Sequence, residues 1–119
     1  MDIETFTEYC LKKKGVTESF PFGGDTLVFK VLDKMFALIS LDEIPCRINL
    51  KCDPEWSITL REEYEDIIPG FHMNKKHWNT VKLEGMLDET LIRKLIDHSY
   101  DLVCDTLPSK DKLTLKQLD

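Results

Sequence analysis

The chain has 119 residues, 42 % of them hydrophobic and 32 % charged, a balance that predicts one globular domain rather than a two-domain enzyme or a disordered polymer. Sixteen Lys and Arg against 22 Asp and Glu leave a formal charge of −6, opposite in sign to a general nucleic-acid coat, so an anionic partner requires a local patch. No apolar run reaches the roughly 18 residues of a membrane span, and Met1-Asp2-Ile3-Glu4-Thr5 lacks the pattern of a secretory leader, so the expected address is the cytoplasm, with no membrane partner.

Within residues 2 to 14, Ile3, Phe6, Cys10 and Leu11 share one face at helical steps, which predicts a first helix. Lys12-Lys13-Lys14 complement the negative end of its dipole as solvated side chains, and Gly15 closes it. Residues 16 to 25 read as a loop whose aromatics, Phe20 and Phe22, need a surface to cover. Residues 26 to 32 and 35 to 40 are β-prone apolar runs joined tightly at Asp33-Lys34, and Arg47 to Cys52 alternates with Ile48, Leu50 and Cys52 inward.

Asp53-Pro54-Glu55 opens a second helix with an N-cap, a proline in the first turn and an acid there. It runs to about Tyr64, with Trp56, Leu60 and Tyr64 on its buried side, and Ile67-Ile68-Pro69-Gly70 ends the element. Phe71-His72-Met73 and His77 to Leu83 are expected as two strands of a hairpin around Asn74-Lys75-Lys76; the period alone leaves open which face of the returning strand is buried. Asp88 caps a third helix with an apolar stripe from Leu91 to Val103, and Ser99 inside that stripe is expected to bond a carbonyl one turn back. Pro108 ends it.

The predicted order is therefore α-β-β-β-α-β-β-α: a two-layer α+β fold, an antiparallel five-stranded sheet with its helices on one face. Residues 1 to 108 form the single domain, and 109 to 119 a polar, weakly ordered tail.

Residues suited to chemistry are scattered. Cys10, Cys46, Cys52 and Cys104 form no CxxC pair and read as buried small hydrophobes. His72 and His77 lie five residues apart across a hairpin, a spacing that does not converge two imidazoles on a metal. Ser99 lacks a nucleophile elbow, and Gly23-Gly24 lacks the rest of a phosphate-binding loop. The expectation is a non-enzymatic protein with no catalytic residue, no cofactor and no metal site. Charge is segregated, however. Residues 53 to 66 hold six acids and one arginine, a local −5, whereas 71 to 83 hold three lysines and no acid, interleaved with Phe71, His72, His77 and Trp78. That mixture serves both backbone contacts and base stacking.

The residues also resemble a family. Ser19-Phe20-Pro21-Phe22-Gly23, Val28-Phe29-Lys30-Val31, Leu50-Lys51-Cys52-Asp53-Pro54, the run Pro69-Gly70-Phe71-His72-Met73-Asn74-Lys75-Lys76-His77-Trp78-Asn79-Thr80-Val81 and Ser99-Tyr100-Asp101-Leu102-Val103 are similar to the MmcQ/YjbR family, over about residues 3 to 107. The resemblance implies a frataxin-like (CyaY-like) α+β fold and a DNA-binding role attributed to hairpins acting as a double wing. It brings no catalytic residue.

Two function classes follow. The first is a monomeric module that binds DNA weakly and salt-sensitively through the basic hairpin, with Lys51, Arg61, His72, Lys75, Lys76, His77, Trp78 and Lys82 as candidate contacts. The second is an interaction module that docks a protein or small ligand on the sheet face, using aromatics such as Phe20 and Phe22.

Overall fold

The computed structural model describes residues 1–118. Helix α1 (Ile3–Leu11) leads into strands β1 (Val16–Ser19), β2 (Thr26–Val31), β3 (Lys34–Ser40) and β4 (Arg47–Lys51); helix α2 (Pro54–Glu63) follows, then β5 (Ile67–Pro69), β6 (Trp78–Lys82), α3 (Glu89–Asp105) and α4 (Ser109–Lys116). All neighbouring strands are antiparallel, in the order β1-β2-β3-β4-β6-β5.

Strand alternation assigns one sheet face to the helices. Leu27, Ile39, Ile48, Val81 and Ile67 lie in register across five strands, and Phe6, Cys10, Leu60, Ile92, Leu95 and Ile96 close over them as one buried core. Asp53 caps α2 as its sequence dictates, its carboxylate accepting from the Trp56 N–H at 3.1 Å. Between β2 and β3 the register slips, so Phe36 is the extra residue of a bulge. Its freed carbonyl accepts from the buried Ser99 hydroxyl, which in turn accepts from the Lys51 N–H at 2.9 Å.

Several expectations need correction. The sheet has six strands rather than five, because β1 forms inside the segment read as a loop: its pattern is mostly exposed, so no apolar alternation betrays it, and pairing with β2 makes it a strand. The outer strand of the second hairpin is Ile67–Pro69, not Phe71-His72-Met73, since Ile67 pairs with Val81 and fills the core. The polar tail contains α4, giving four helices rather than three, with Leu115 packed against the core beside Gly15. These additions depart from the order expected of the frataxin-like type while the α+β class stands. Ser99 bonds across to the bulge instead of up its own helix. Lys13 is not solvated: its ammonium meets Asp97 at 2.6 Å and lies over the Tyr9 and Tyr100 rings.

Candidate functional site

The other face of the sheet carries no helix. Thr26, Ser40, Arg47 and Lys82 lie in register on it, as do Val28, Leu38, Asn49, Thr80 and Ile68, with Lys30 beyond the bulge and Lys51 opposite Trp78. The strand positions of this face thus present four cations, Lys30, Arg47, Lys51 and Lys82, and no carboxylate; Glu43, Glu65 and Asp66 stand only at its margin. The acids of α1, α2 and α3 lie on the opposite layer, so the charge segregation of the sequence becomes a two-sided molecule.

The residues between β5 and β6 fold back onto this face. Gly70 makes the fold-back possible: its N–H donates to the Trp78 carbonyl at 2.8 Å, and a Cβ there would lie 2.9 Å from the Trp78 Cβ. His72 takes the left-handed conformation, φ 61°. Asn74 then closes the loop, its side-chain oxygen accepting from the Lys76 and His77 N–H groups at 3.0 and 3.2 Å. Met73 reaches the patch of Val28, Leu38 and Trp78, with Met35 alongside. Both faces of β6 are therefore buried: Asn79 and Val81 under the helices, Trp78 and Thr80 under the loop.

The candidate contacts divide accordingly. Lys51 and Lys82 stand on the open face and His72, Lys75 and Lys76 on the loop that overhangs it. Lys82 is 3.9 Å from Asp66, and the Lys75 ammonium donates to the Gly70 carbonyl at 2.9 Å while the residue stays exposed. His77 is half-buried, and its carbonyl accepts from the Cys52 N–H at 2.8 Å. Trp78, at 9 % exposure, is a packing residue. Arg61 lies on the helix side and is committed to the loop from beneath, donating to the Asn79 side chain at 2.8 Å and to the carbonyls of Lys75 and Trp78. Asn79 is held in turn by donating to the Ser57 hydroxyl at 3.2 Å.

Arg47, Lys30 and Asn49 were not among the candidates. The alternation that turned Ile48 and Leu50 inward already placed Arg47, Asn49 and Lys51 together on the other side, which was the available signal. Under the loop the face hollows into a cavity of about 310 Å³, bordered by Arg47, Asn49, Thr80, Phe71 and His72 and by Phe22 from the β1–β2 loop. Burial pushes the thiols up, Cys10 to about 12, and Cys46, Cys52 and Cys104 in the same direction. That shift disfavours the thiolate, the reactive form of the side chain. Among the described residues no three His, Cys, Asp or Glu side chains converge on a point.

Fold and site define an α+β protein whose antiparallel sheet is helix-covered on one side and cationic on the other. The chain belongs to the YjbR family, whose model matches residues 11–102. It is 35 % identical to the Escherichia coli K12 protein YjbR, over 99 % of this chain and 100 % of that one. It is 42 % identical to YbdF of Escherichia coli O157:H7, over 92 % of this chain and 89 % of the relative. Both relatives are named only as uncharacterized proteins. The crystal structure of a Deinococcus radiodurans protein superposes with a TM-score of 0.89 at 38 % identity, covering 96 % of this chain and 87 % of its own. A Pseudomonas syringae crystal structure gives 0.75 at 33 %, covering 86 % and 98 %.

Proposed function

We propose that this protein is a non-enzymatic, monomeric, cytoplasmic module that binds DNA on the uncovered face of its sheet and the loop between β5 and β6. The observation that carries the reading is the sorting of charge: Lys30, Arg47, Lys51 and Lys82 on one face without a carboxylate among its strand positions, extended by Lys75 and Lys76 on the loop. Such a surface takes a phosphate backbone by counterion release, even on a chain of net charge −6. The family resemblance carries the same expectation through its winged hairpins. Arg61 and Trp78 hold the wing in shape rather than touch the ligand.

Fluorescence anisotropy with labelled DNA at several salt concentrations tests this. Six cations set a log-log salt slope no steeper than about −5.4 on duplex DNA, and Lys75→Glu/Lys76→Glu should weaken binding and flatten the slope by about two cation equivalents. If low-salt binding is absent, or the charge reversal changes neither affinity nor slope, the reading fails and a protein- or small-ligand-docking role for this face replaces it.

A further inference from the structure

We infer that the cavity beneath the β5–β6 loop receives a single unstacked nucleotide, so that the protein selects unpaired strands or strand ends over duplex. The inference rests on the DNA-binding reading and names which form of DNA that site takes.

Three features converge on one ligand. Arg47 borders the cavity, and its guanidinium has no hydrogen-bond or ion-pair partner among the described residues, an arrangement suited to bidentate capture of phosphate. Two aromatic rings flank the opening from different loops. Phe22 is 66 % exposed and Phe71 51 % exposed, the latter backed by the His72 ring at 4.0 Å between centroids. Large apolar rings left this open around a cavity are unexplained by packing, whereas a base offers a π-face to each. Between ring walls and cation the lining is mixed, with Leu38 and Met73 beside a group of polar side chains. Thr80 donates to the Asn49 side-chain oxygen, which leaves the Asn49 amide N–H groups free of that bond, and Thr26 and Ser40 line the cavity beside them. Glu43 on the rim adds an acceptor. This is a donor and acceptor edge of the kind that reads a base.

Size decides between strand forms. About 310 Å³ is at the lower end of ligand pockets and admits one nucleotide, not a helix. In a duplex the bases are stacked and paired, so a base enters only after extrusion at a cost that a single strand or frayed end does not bear. The cationic face then carries the phosphates on either side of the captured unit.

The experiment compares the full chain with its Phe71→Ala and Phe22→Ala variants, each at an exposed position and each checked for native circular dichroism. Labelled 12-nucleotide single strands and a blunt hairpin duplex of equal phosphate number serve as probes at low salt. The wild type should bind the single strand at least about tenfold more tightly than the duplex. Each substitution should cost about tenfold on the single strand and under twofold on the duplex, and a nucleoside 5′-monophosphate should compete. Equal affinity for both forms, indifferent to both substitutions but lowered by Lys75→Glu/Lys76→Glu, would overturn the nucleotide pocket while leaving DNA binding intact. Absence of binding to either probe would overturn both.

Discussion

His98 illustrates how one side chain sets a pH response. Its Nε2 accepts the Asp53 N–H at 3.0 Å, and its ring meets the Trp56 indole edge-on at 4.7 Å. Only the neutral imidazole accepts there, and burial lowers its proton affinity against the opposing pull of Asp53 and Asp101. The unfolded chain, with the ordinary value near 6.5, therefore takes up the proton first, so stability is complete above about pH 6.5 and is lost progressively as pH falls through the lower folded value. Urea denaturation between pH 8 and 5 should show that decline, and His98→Gln, which retains an acceptor but does not titrate, should reduce it. An unchanged slope would show that other groups govern it. Ser99 and Trp78 matter through burial instead. Ser99→Ala leaves the Lys51 N–H and the Phe36 carbonyl without their shared partner and should cost about 1–3 kcal/mol. Trp78→Ala empties the space beneath Met73 and should cost about 3–5 kcal/mol, read from the same denaturation curves.

At the level of elements, the β5–β6 connection is the part on which the site depends, and Arg61 governs it from the far side of the sheet. Arg61→Ala removes three hydrogen bonds from α2, one to the loop at Lys75 and two to the start of β6 at Trp78 and Asn79. It should cost about 2 kcal/mol and accelerate amide hydrogen exchange across residues 70–77, with α1 and α3 unaffected; uniform exchange rates would show the loop holds itself. The sequence made much of this legible. Alternation placed β4 and its inward residues, Asp53-Pro54 placed the start of α2, and the stripe from Leu91 to Val103 placed α3. It did not reveal β1, which has no buried face of its own, nor the return of Phe71-His72-Met73 over the sheet. That return depends on a glycine contact and an Asx turn rather than on periodicity. Arg61 looked like a surface cation because its acceptors, two of them backbone carbonyls, are supplied by tertiary folding.

For the whole molecule, the distribution of charge matters more than its sum. A net −6 spread evenly would repel DNA, but placing the helical acids on one layer and the strand cations on the other gives the protein an electrical polarity. Carboxylates a domain's thickness from the ligand are damped over a Debye length of about 8 Å at physiological salt. Lowering the salt should strengthen attraction at the cationic face faster than it restores repulsion from the far side. Arg47→Glu, which places a carboxylate in the middle of that face, should accordingly weaken low-salt binding more than Lys34→Glu, an exposed change whose strand position faces the helix layer. Equal losses for the two would show that only total charge counts.

The outermost strands are the shortest, with four residues in β1 and three in β5. One presents Glu18 and the other ends in Pro69, which has no amide hydrogen to offer. A six-stranded sheet with one uncovered face would otherwise be an inviting template for strand addition and runaway fibril growth. Blunt margins allow the broad central strands to stay open to a ligand while denying a second chain a ladder to extend.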